Sequence, residues 1–198
     1  MGANGAVVIG EYGTGDEAAE EIRRRSASSY VITTRLDSDD ALARIFVERV
    51  QRSASGLIDG LGESFGINVT NGVKTYTESG LSVHISDLSN PFISVVEHSA
   101  DMRTVWSTNH SDIGRLMKVI QIDKCLGWMQ CVHGGNLLNG KHAGAWPARL
   151  GDVERAFALP ACRLREPGAM DYVRAASWKF AQSGARIARE SARSVRPS

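Results

Sequence analysis

Four consecutive polar residues, Asp37, Ser38, Asp39 and Asp40, stand between an apolar run, "SYVITTRL", and a stretch with helical spacing, "ALARIFVERV". Three carboxylates so close together can do one of three things. They can flank a helix N-terminus, where exposed N–H groups favour negative charge. They can bind calcium: with Asp37 as position one, Asp39 falls at three and Glu48 at twelve of an EF-hand loop. Position six is then Leu42 rather than the glycine such a loop turns on, so calcium is the weakest of the three. The third possibility is a hard divalent cation held at the C-terminal end of a strand, where α/β sheets bind ligands, bridging the oxygens of a diphosphate.

Other residues of chemical interest lie downstream. "VHGGNLLN" places His133 at the end of an apolar strand before paired glycines, as a metal or diphosphate ligand or as a strand cap. Asn136 and Asn139 offer amides suited to sugar hydroxyls, and equally to turns. Glu97 and Asp123 are acids at the ends of apolar strands, which suits a site and equally a solvated strand end. Arg35 precedes the acidic group and can face a phosphate or pair with a neighbouring acid. Trp128 is read as core before stacking surface. "GEYGTG" has the glycine order of a plain turn, with Asp16 and Glu17 where a phosphate loop needs bare N–H groups.

These residues need a scaffold, and the elements are readable. "AVVIG" (6–10), the helix "DEAAEEIRRRSA" and "SYVITTRL" (29–36) form a βαβ unit, which implies an α/β sheet. Leu42, Ile45, Phe46 and Val50 recur at helical spacing and predict an amphipathic helix over 39 to about 53, capped by Asp37 or Ser38. Asn71-Gly72 between β-type residues predicts a hairpin turn. "FISVVE", "RTVWST", "KVIQID" and "GWMQCVH" are strand candidates, and the chain turns helical after residue 152.

Length and composition set the frame. With 198 residues and 42% apolar content the expectation is one globular domain over 1–198, with 185–198 a flexible tail. A formal net charge of +1 gives no reason to expect nucleic acid, although the Arg-rich C-terminus could meet a membrane surface peripherally. Three cysteines without a C-x-x-C pair suit a reducing cytoplasm.

"ITTRLDSDDAL", "SNPFISVVE", "TVWSTNH", "VIQID" and "WMQCVHGGNLLN", in that order, resemble the motifs of the rhamnosyltransferase family, GT-A-like bacterial glycosyltransferases. The resemblance spans about residues 28 to 140. It implies a GT-A-like, Rossmann-like mixed sheet flanked by helices, short at its N-terminal, base-binding end. It further implies transfer of a sugar, rhamnose among the candidates, from a nucleotide-sugar donor to a glycan or glycolipid hydroxyl. Asp37 and Asp39 match that family's Asp-x-Asp pair, so Asp37, Asp39 and His133 are the expected ligands of Mg²⁺ or Mn²⁺. Arg35, Asp37 and Asn136 are expected to bind the donor, and Glu97 or Asp123 to act as base. Two alternatives stay open: a non-catalytic nucleotide- or sugar-binding remnant of the same fold, and a metal-dependent hydrolase that uses the acidic group on water.

Overall fold

The computed structural model describes residues 15–134, 145–158 and 164–179. The expected strand 6–10, Asn136, Asn139 and the tail 185–198 lie outside the described residues, as does most of "GEYGTG". The described residues form an α/β protein of two compact units, each with one four-stranded mixed sheet. Among them no helix is long and apolar enough to cross a membrane.

The first unit takes residues up to Ser38, then Ile45–Thr70 and Asp87–Cys125. Its sheet has the order β1 (Tyr30–Thr34), β6 (Ser94–His98), β3 (Phe65–Val69), β7 (Val119–Ile122). The first two pairings are antiparallel and β3–β7 is parallel. Helix α1 (Gly15–Arg25) has Asp16 and Glu17 in its first turn and three arginines in its last, the arrangement that the helix dipole favours. Helix α2 (Phe46–Ser55) lays Phe46, Val50 and Ala54, each 2% exposed or less, towards β3. Two single-turn helices, α3 (Ile58–Leu61) and α4 (Ile113–Leu116), complete the unit.

The second unit takes Asp39–Arg44, Asn71–Ser86 and the chain from Leu126. Its sheet order is β2 (Ala41–Leu42), β8 (Trp128–Val132), β4 (Asn71–Tyr76), β5 (Leu81–Ser86), antiparallel at both edges and parallel between β8 and β4. Helix α5 (Leu150–Phe157) sends Val153 and Phe157 into a core with Val73 and Met129. Residues 169–179 are also helical.

Three local expectations are corrected. The expected helix over 39–53 begins only at Phe46, and neither Asp37 nor Ser38 caps it, because residue 45 is its N-cap and offers no side-chain bond. Residues 41–42 are a strand: the N–H of Ala43 reaches the carbonyl of Gly127 and that of Arg44 the carbonyl of Ala156, which holds the chain extended. Asn71-Gly72 does not turn a hairpin but opens β4, while the β4–β5 hairpin turns at Thr77–Gly80. Gly72 is needed for close approach, since a Cβ there would sit 2.1 Å from the indole of Trp128, itself 1% exposed and core as expected. "RTVWST" is not a strand either. Residues 105–107 form a 3₁₀ turn entered through Thr104 at φ 73°, a conformation that a β-branched residue adopts only under constraint.

Candidate functional site

The acidic segment acquires its geometry from sheet pairing. Antiparallel pairing of Ala41 with Met129 and Leu42 with Trp128 runs the residues before β2 alongside the end of β8. Asp40 accepts a hydrogen bond from the N–H of Cys131 at 2.8 Å, so its carboxylate fastens the start of β2 to β8. One residue earlier, Oδ2 of Asp39 lies 3.0 Å from Nε2 of His133. The two side chains are 37% and 43% exposed, respectively. A pair that wet contributes about 1 kcal/mol or less to stability, so holding the fold together does not account for it. The pair sets a hard oxygen donor beside a nitrogen donor at the end of a strand, with both side chains partly exposed.

A second grouping lies in the other unit. Arg35 follows β1, and its guanidinium carbon stands 4.4 Å above the centre of the Trp106 ring, a cation–π stack. Its Nε is 3.6 Å from Oδ1 of Asp37, beyond hydrogen-bond length, and is buried without an acceptor. Nδ1 of His110 is likewise buried without a partner. Burial, and then the charge of Arg35, hold the His110 pKa below its ordinary 6.5 against the opposing pull of Asp87, Asp37 and Asp112.

What presents Trp106 is Glu97. That residue is 6% exposed, and its two carboxylate oxygens accept the N–H groups of Arg103 and Thr104, each at 3.0 Å. Thr33 Oγ1 takes the N–H of Val105, and Thr104 Oγ1 takes that of Trp106. Four side-chain acceptors thus hold the strained turn, leaving Trp106 51% exposed. Asp123, just beyond β7, lines an open surface cleft of about 380 Å³ with Arg52, Ser53, Leu57, Ile120 and Lys124.

Of the residues singled out from sequence, the structure therefore joins Asp39 to His133 and places Arg35 beside Asp37. Glu97 is turned to holding a backbone loop, and Asp123 borders its own cleft. Among the described residues no group of three or more His, Cys, Asp or Glu is gathered as a cation site, so of the expected trio Asp37, Asp39 and His133 only the last two are brought together. Trp106 was passed over in the sequence. Its signal was an aromatic residue among "TVWSTNH", a segment too polar at its end for a buried strand.

No curated protein and no solved structure matches the chain significantly. Residues 15–144, by contrast, match the sequence profile of a family described as "Putative rhamnosyl transferase", a span that takes in both β sheets and every grouping above. That span is well over half of the 198 residues, and the chain belongs to this rhamnosyl transferase family of glycosyltransferases.

Proposed function

We infer that the protein is a GT-A-like glycosyltransferase that moves a sugar, with rhamnose the first candidate, from a nucleoside diphosphate donor to a glycan hydroxyl. Within the family assignment, the observation that carries this reading is the Asp39–His133 pair at the end of a β strand. Mg²⁺ and Mn²⁺ sites of transferases need few protein ligands, one or two supplied by the chain and the rest by phosphate oxygens and water. A half-exposed carboxylate beside an imidazole fits that requirement, and Asp39 and His133 are the residues that would hold the ion. Once bound, such an ion neutralises the negative charge that gathers on the departing diphosphate.

Other groups are suited to parts of the same chemistry, each within its own unit. His133 must be neutral to act as a ligand, and its bond to Asp39 fixes the orientation of its ring. Arg35, flattened on Trp106, keeps a planar, permanently charged donor suited to phosphate oxygens. Asp37 lies 3.6 Å from the Nε of that same arginine, an ion pair without a hydrogen bond. Asp123 is the carboxylate favoured to take the acceptor's proton, since it borders a cleft while Glu97 is occupied by backbone amides.

The test is release of nucleoside diphosphate from a panel of dTDP-, UDP- and GDP-sugars with Mn²⁺, followed with and without chelator. Release that needs the metal and falls at least tenfold in both Asp39→Asn and His133→Ala supports the reading. Metal-independent release, or release that both variants retain, refutes it. Donor binding without turnover in any acceptor mixture would favour a sugar-binding role instead.

A further inference from the structure

In the first unit a large aromatic ring stands in solvent on a turn that is held from several sides. Glu97 and Thr33 bond the backbone N–H groups of 103–105. At the start of α1, a Cβ on Gly15 would lie 3.4 Å from the backbone carbon and the Cβ of Trp106, so the helix backs the same turn. Thr104 enters it at φ 73°, a strain that persists only where the surroundings enforce it and that gathers at functional sites. All of this support presents a side chain that is itself left 51% exposed.

The guanidinium lying on that ring has donors in reserve. Arg35 is 26% exposed, its Nε is without an acceptor, and among the described residues nothing accepts a hydrogen bond from its other nitrogens. An arginine can donate five such bonds. The stack at 4.4 Å fixes the plane of the fork and covers one face of the indole only. Beside it, Oδ1 of Asp37 sets a carboxylate acceptor 3.6 Å from Nε. All three residues belong to the same unit.

An apolar ring face, a fork of N–H donors in contact with it and a carboxylate thus meet at one place. A pyranose joined to a phosphate matches all three. Its C–H side suits the negative face of an indole, its phosphate oxygens suit the planar fork, and a hydroxyl can donate to the carboxylate. A nucleobase also stacks, but a ribose separates it from its nearest phosphate, whereas here guanidinium and indole touch. We propose that Trp106, with Arg35 and Asp37, forms the subsite that holds the glycosyl phosphate end of the donor. The proposal rests on the transferase reading, which supplies the sugar nucleotide, and it adds Trp106 as a binding residue.

The full-length protein, labelled at its indole nitrogens, is titrated in the presence of chelator with rhamnosyl phosphate, glucosyl phosphate and UDP. The chain has four tryptophans, and the indole N–H signal that Trp106→Phe removes is the reporter. Expected are a shift of that signal with at least one of the two glycosyl phosphates, and saturation transfer from the protein to the ring protons of the sugar. Trp106→Ala should weaken binding at least about fivefold with an unchanged circular dichroism spectrum, and Trp106→Phe, which keeps a face to stack on, should lose less. Binding of neither glycosyl phosphate overturns the proposal, as does binding that Trp106→Ala leaves intact. UDP moving the reporter at lower concentration than both would assign the ring to the base and overturn it too. The transferase reading fails on a different result, donor turnover that needs no metal. Metal-dependent turnover whose KM is unchanged in Trp106→Ala therefore overturns this subsite alone.

Discussion

Gly72→Ala should be one of the most damaging single-methyl additions to this chain. The new Cβ would lie 2.1, 2.4 and 2.5 Å from Cδ2, Cε2 and Cε3 of Trp128, whereas ordinary contact begins near 3.4 Å, a shortfall of about 1.3 Å. Neither partner has room to retreat. Strand β4 is paired on both sides, by β5 and by β8, and Gly72 stands directly opposite Trp128 in the parallel register. Trp128 is among the largest fully buried side chains. Two effects compete: removing a glycine stabilises by about 0.4–1 kcal/mol through the unfolded chain, and forcing extra carbon into a packed core costs about 1–3 kcal/mol. With an overlap this deep between a central strand and an indole, the upper end applies, so we expect a net loss of at least about 2 kcal/mol, a large share of a typical 5–15 kcal/mol. The assay is urea unfolding of wild type, Gly72→Ala, Trp128→Leu and the double variant. If the indole is the cause, the alanine costs less than half as much in the Trp128→Leu background. A cost under about 0.5 kcal/mol for Gly72→Ala, or strict additivity in the cycle, would refute the reasoning.

Three further outcomes are expected. Glu97→Ala strips the acceptors from the N–H groups of Arg103 and Thr104, and should cost about 2–4 kcal/mol while speeding amide exchange at 103–106. Glu97→Gln, which keeps one oxygen, should cost less. Because the His110 pKa is held below 6.5, the unfolded chain takes up protons first as the medium is acidified. Stability contributed at this position is whole above pH 6.5 and declines below it, and His110→Gln should flatten that limb of a pH-dependent unfolding series. Arg35→Lys keeps the charge but loses the planar stack on Trp106, so unfolding measurements should show a loss of about 0.5–1 kcal/mol, with donor affinity falling more steeply.

Elements marked by their own residues were legible in the sequence. Charge ordering gave α1, and apolar β-branched runs gave β1, β6, β7 and β8. What the sequence hid was every feature set by a distant partner. The Asn71-Gly72 pair carries a turn signature, yet its glycine answers to an indole at position 128. Leu42 and Ile45 continue the helical spacing of Phe46 and Val50, but Leu42 belongs to a strand fixed by β8, and Ile45 is 39% exposed. Glu97 and Thr33 look like ordinary strand residues until the backbone amides of 103–105 arrive to claim them. Strand β5 went unread because its one clear marker, the preceding glycine, is Gly80, whose φ of 67° turns the hairpin. The candidate site fared similarly. Asp39 and His133 were both named as ligands, but their meeting depends on the β2–β8 register, which no local pattern encodes.

That register also sets a schedule. Asp39 and His133 are 94 positions apart, and at ordinary rates of synthesis the ribosome needs on the order of ten seconds to travel from one to the other. During that interval Asp40 has no amide to fasten and β2 no neighbour. Each unit is likewise stitched from three separate stretches of chain, so no single cut releases either one whole. Limited proteolysis should therefore give nicked but associated fragments rather than an isolated half that folds by itself. The acidic segment is made well before the strand end that it is to meet.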